Sequence, residues 1–92
     1  MAARRFSLPA MQREQVIAAV DQALAEQLGM STQDVDAAAS QGLDALGLDS
    51  HGLVRVLLAI EQALNLEQEL DVPDEALESP ATLRAGVCSA VM

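Results

Sequence analysis

The stretch Leu46-Gly47-Leu48-Asp49-Ser50, together with the run His51-Gly52-Leu53-Val54-Arg55-Val56-Leu57-Leu58-Ala59-Ile60-Glu61-Gln62-Ala63-Leu64 that follows it, decides the reading of the chain. Leu53, Val56, Leu57, Ile60 and Leu64 fall at i, i+3, i+4, i+7 and i+11, which is one face of an α-helix, and no proline interrupts them. Ser50 stands just ahead of that face, where a hydroxyl can accept from an unpaired first-turn N–H, so the spacing predicts Ser50 as N-cap. Gly47 lets the chain turn sharply into the helix. The same helix end favours an anion, through its free N–H groups and its dipole, so a phosphate esterified to Ser50 would sit in a stabilising field. Asp49 adds a like charge there and needs a reason of its own, such as ordering the turn or being read by a modifying enzyme.

Composition bounds what surrounds this helix. Ninety-two residues suffice for one modest core, and 51% of them are hydrophobic while one is aromatic, so that core is aliphatic. Alanine and leucine dominate and β-branched residues are scattered, which predicts an all-α chain. Fourteen acids against five arginines and no lysine give a net charge of −9. From Glu14 onward two arginines face all 14 acids, a balance of −12. Such a surface is unsuited to nucleic acid, whose binding depends on neutralising phosphates. It suits enzymes with basic docking patches.

Cys88 stands alone, which excludes a disulfide framework and a cysteine metal cluster. No apolar run approaches the roughly 20 residues of a membrane helix. Arg4-Arg5 is followed by Pro9-Ala10-Met11-Gln12-Arg13-Glu14 where a twin-arginine signal would have an apolar segment, so a cytoplasmic location is expected.

Residues 1–8 carry no periodic pattern and are expected to be a flexible tail, with 9–92 a single domain. Pro9 suits the first turn of helix one. Val16, Val20, Ala23, Leu24 and Leu28 form its apolar stripe with Ile17 alongside, Gly29 stops it, and Glu14, Asp21, Gln22 and Glu26 are expected to make its solvated face. Ser31 and Asp34 have capping-box-like spacing and predict a short turn over 31–35. Leu43, Leu46 and Leu48 should pin the rest of this long loop to the core. After the central helix, residues 65–72 are acidic and weakly periodic. Residues 73–78 suit a short third helix with Asp74 and Glu75 at its positive end. Ser79-Pro80 reads as an N-cap followed by first-turn proline, and Leu83, Val87 and Val91 line the last helix with Cys88 beside them.

The motif Leu46-Gly47-Leu48-Asp49-Ser50 ahead of a hydrophobic helix resembles the 4'-phosphopantetheine attachment site of acyl and peptidyl carrier proteins. The likeness runs from about Val16 to Val91 and includes the helix before the motif and Val72-Pro73-Asp74-Glu75 after it. It implies a four-helix bundle of three longer helices and one short one, without catalysis of its own. Ser50 would carry a covalent 4'-phosphopantetheine from coenzyme A, with Gly47, Leu48 and Asp49 as motif support. The implied partners are a phosphopantetheinyl transferase, an acyl- or aminoacyl-loading ligase and a downstream transferase, acting on a monomer.

Two positions shift the likeness within that family. His51 stands where leucine is usual, and Asp-Ser-x-Gly is closer to D-alanyl carriers and small stand-alone aminoacyl carriers than to fatty-acid carriers. Arg55 stands where fatty-acid carriers have an acid. The resemblance therefore points first to aminoacyl cargo, with a fatty-acid or polyketide intermediate second. Val54 and Leu58 lie off the Leu53/Ile60 stripe, sharing a face with His51 and Arg55. They are expected to form a docking patch, against the alternative of burial beneath the first loop.

Other readings compete with a modified Ser50. A plain acidic helical adaptor would need Ser50 only as a cap. A hydrolase nucleophile elbow needs glycine two residues before the serine, where Leu48 stands. Asp34, Asp36 and Asp44 resemble a calcium loop weakly, but Ala38 and Ala39 occupy positions that need an oxygen ligand and a glycine, so no metal is expected. Cys88 reads as a small core residue.

Overall fold

The computed structural model describes residues 12–91; the expected tail and Pro9 lie outside the described residues. Helix α1 spans Arg13–Leu28, α2 spans Thr32–Ala37, α3 spans Ser50–Ala63 and α4 spans Pro80–Val91, with a 3-10 turn at Asp74–Leu77 between α3 and α4. No strand occurs among the described residues. Three long helices and one short one agree with the all-α expectation. The short α-helix, however, is the one capped by Ser31, and the segment after Val72 makes only a 3-10 turn.

Local chemistry accounts for most boundaries. Gly29 ends α1 at φ 71°, a left-handed position where a side chain would be strained. Ser31 caps α2 by accepting from the Asp34 N–H at 3.1 Å. Pro80 opens α4, with the Thr82 N–H donating to Ser79 Oγ at 3.2 Å and the Ser79 N–H donating to Thr82 Oγ1 at 2.8 Å. This reciprocal pair satisfies two donors that the helix start would otherwise leave unpaired.

The core is aliphatic. Val16, Val20 and Leu24 of α1 meet Val56 and Ile60 of α3 and Leu83 and Val87 of α4, with Val35, Leu43, Leu48, Leu70 and Cys88 closing it. Helix α1 is the shared partner of α2, α3 and α4. Close approach of α4 to the 3-10 turn requires Gly86, because a Cβ there would collide with the Cβ of Ala76.

The long connection from α2 to α3 is pinned by Leu43 and Leu48, both buried. It is also stitched to the C-terminal segment by two backbone bonds. The Leu43 N–H donates to the Glu78 carbonyl at 2.8 Å, and the Ala81 N–H donates to the Ala39 carbonyl at 2.9 Å. The connection from α3 to the 3-10 turn is held differently: the Leu70 N–H donates to the Glu61 carboxylate at 2.7 Å.

Asp21 does not belong to the solvated face of α1. Its carboxylate takes two bonds from Arg84, at 2.8 and 2.9 Å, and Arg84 reaches Asp36 at 3.1 Å. The Arg84 and Asp21 side chains are only 16% and 13% exposed, so this fork ties α4 to α1 within the packed region and raises the Arg84 pKa, chiefly through the hydrogen bond to Asp21. Arg84→Gln is expected to lower unfolding free energy by about 1–2 kcal/mol, less than for a fully buried pair because water still reaches it. Asp36→Asn, at a carboxylate 74% exposed, should change it by less than about 0.5 kcal/mol. Urea midpoints of the two variants check the difference.

Candidate functional site

The entry to α3 is built by Asp49 rather than by Ser50. Asp49 is extended, at φ −92° and ψ 179°, and its carboxylate accepts from the Gly52 N–H at 2.7 Å while its carbonyl accepts from the Leu53 N–H at 2.9 Å. Asp49 is therefore the N-cap, and Ser50 is the first helical residue. Carboxylates cap as well as hydroxyls do, and the carboxylate adds charge–dipole attraction at the positive helix end. The expectation that Ser50 caps the helix is thus corrected. Of the reasons expected for an acid beside the serine, ordering the turn is one that Asp49 fulfils.

With the cap supplied by its neighbour, Ser50 is exposed and makes no side-chain hydrogen bond among the described residues. Gly47 sits at φ 99°, a left-handed value that turns the chain between Leu46 and Leu48. Leu48 is buried and anchors the motif from below. Gly52 has a role that sequence reasoning missed: a Cβ there would lie 2.9 Å from Leu48 Cδ1 and 3.2 Å from Gln27 Nε2. Its missing side chain lets the first turn of α3 settle on Leu48 and against the end of α1. No sequence pattern near Gly52 announces that contact.

An open groove of about 510 Å³ begins at Ser50 and runs between the loop at Gly42–Asp44 and the segment Leu77–Glu78, with Leu43, Leu48, Leu53 and Leu77 among its walls. Asp44, Asp49 and Glu78 also line it. An accessible hydroxyl at a helix N-terminus, opening on a groove with an apolar wall, can be esterified by a phosphate carrying a long flexible substituent.

Residues 18–85 match the family model for the phosphopantetheine attachment site. The chain belongs to the phosphopantetheine-binding carrier family. A relative from Guillardia theta, named acyl carrier protein, is 34% identical over 77 residues, covering 84% of this chain and 89% of that one. No solved structure matches the chain. As a family member the chain is a carrier rather than a catalyst. It bears a covalent 4'-phosphopantetheine and works with a phosphopantetheinyl transferase and acyl-handling enzymes. The site at the start of α3 fits that group, with a free hydroxyl, a positive helix end and open space beside it. When bound, the group supplies a terminal thiol able to hold a cargo as a thioester.

The residues expected to form the docking patch also lie on this carrier's α3. His51 and Arg55 are exposed. Val54 and Leu58 are 54% and 49% exposed, which removes the alternative of burial beneath the first loop. Cys88 is buried in the core. No helix among the described residues is long and apolar enough to cross a membrane.

Proposed function

We propose that Ser50 carries the arm and that the chain, a single monomeric carrier domain over residues 9–92 acting in the cytoplasm, presents an aminoacyl thioester to partner enzymes. The observation that carries the Ser50 assignment is its hydroxyl, exposed and unpartnered among the described residues at the first position of α3 while Asp49 provides the cap. An adaptor in which Ser50 merely caps loses its premise, because capping is done by the residue before it.

Asp49 and the helix dipole divide the electrostatic work. The carboxylate is engaged with the Gly52 N–H, which limits the repulsion a neighbouring phosphodiester would meet, and the positive helix end favours the phosphate's charge. The tether raises the local concentration of cargo at each enzyme in turn, so binding and orientation are the domain's contribution. His51, Val54, Arg55 and Leu58 form the surface on which a loading ligase and a downstream transferase dock.

Aminoacyl cargo is favoured by the stretch Asp49-Ser50-His51-Gly52. The acyl carrier protein name of the Guillardia theta relative favours the second reading, a fatty-acyl or polyketide cargo. Incubation with coenzyme A and a broad-specificity phosphopantetheinyl transferase should add the mass of one phosphopantetheine, and fragment mapping should place it on Ser50. An unmodified chain beside a working control overturns the assignment. The thioester recovered from native cells decides the cargo, and a long fatty chain there overturns the aminoacyl choice.

A further inference from the structure

The face of α3 turned away from Val56 and Ile60 carries charge opposite in sign to the chain's net −9. His51, Val54, Arg55, Leu58 and Gln62 fall at i, i+3, i+4, i+7 and i+11, one continuous strip of helix surface. Val54 and Leu58 are the two exposed large hydrophobics among the described residues. Between Asp49 and Glu67 the sequence holds one acid, Glu61, and its carboxylate is occupied by the Leu70 N–H. The strip itself therefore carries a guanidinium and no carboxylate, within a chain whose balance from Glu14 onward is −12. Arg84 is tied to Asp21 and Asp36, whereas Arg55 forms no ion pair among the described residues.

Charge at two ranges then acts in opposite senses. At a distance the acidic whole attracts basic surfaces, but screening confines each charge to about 8 Å at physiological salt. In contact, a lysine or arginine placed over Val54 and Leu58 meets Arg55 without a carboxylate on the strip to receive it. Like charges brought together at an interface disfavour binding and reject wrong partners. A partner carboxylate would instead find an arginine with its donors free, the geometry that arginine pairs best.

We propose that α3 is read by enzymes whose contact surface places an apolar hollow over Val54 and Leu58 and a carboxylate against Arg55, and that Arg55 turns away enzymes that contact this face through basic side chains. This rests on the docking reading of the helix that bears Ser50, and it adds the chemistry of the partner.

The test uses the full chain and two probes: a phosphopantetheinyl transferase with a basic carrier-binding surface, and the same enzyme with those basic side chains changed to glutamate. Relative to the parent chain, Arg55→Glu should raise kcat/KM with the basic enzyme at least tenfold, with Arg55→Gln between them. The order should reverse with the acidified enzyme, and both differences should shrink towards unity at about 1 M salt. Leu58→Glu should lower kcat/KM with both enzymes while circular dichroism shows unchanged helicity. If the acidified enzyme turns over no carrier, the ratios and their salt dependence with the basic enzyme decide alone. Should the Arg55 variants stay within twofold of the parent chain while Leu58→Glu is slow, the inferred polarity is wrong and docking stands. Should Leu58→Glu also be neutral, the docking reading falls with it.

Discussion

Ser50→Ala is expected to abolish the gain of one phosphopantetheine completely and to leave the helix as stable as before. The chemical half of this result follows from the loss of the only oxygen that can be esterified at that position. The structural half follows from the cap. Asp49, not Ser50, accepts from the first turn, so removing the Ser50 hydroxyl breaks no hydrogen bond among the described residues. An exposed substitution of that kind shifts stability by less than about 0.5 kcal/mol. Asp49→Ala is the contrasting variant: it deprives Gly52 of its acceptor and should cost about 1 kcal/mol, or roughly 4–8 °C in Tm for a domain of this size. Intact mass and thermal melts of the two proteins measure both halves. A Ser50→Ala protein that still gains mass places the attachment elsewhere. One that melts as low as Asp49→Ala shows that the serine, after all, supports the turn.

The second large effect lies on the same helix and the opposite face. Ile60 is 0% exposed and sits among the core side chains of α1 and α4, so Ile60→Ala should cost about 3 kcal/mol through lost burial and the cavity left behind. That is a large share of the 5–15 kcal/mol by which a domain is ordinarily stable. Leu58, two residues earlier and 49% exposed, should lose only about 0.5 kcal/mol on truncation to alanine. Urea titrations should therefore show a much lower midpoint for Ile60→Ala and a nearly unchanged one for Leu58→Ala, with equal slopes. Equal losses would place Leu58 in the core and remove it from any docking surface.

These two experiments exploit a division that the central helix shows plainly. Its length and its core-facing stripe are local properties of residues 49–64 that periodicity exposes, whereas a role for its N-terminal end came from the motif's resemblance. Which residue supplies the cap was harder to read. Serine and aspartate are both good caps, adjacent residues compete for one position, and the extended backbone of Asp49 with its bond from the Gly52 N–H settles the choice.

The sequence by itself determined that this chain is helical and aliphatic, where α1 stops, that Ser31 and Ser79 begin helices, and that Ser50 stands at the head of an amphipathic helix in a recognisable motif. The first rests on composition and the helix limits on neighbours within about four residues, the range over which a helix repeats and caps act. Only the tertiary structure decided that Asp21 leaves the solvated face to hold Arg84, 63 residues away. It also decided that Glu61 fastens Leu70, that the first loop is sewn to Glu78 and Ala81, and that Gly52 and Gly86 are bare because another element lies against them. Those outcomes depend on which surfaces meet, and a charge or a missing side chain carries no mark of its partner until packing brings the two within a few ångströms.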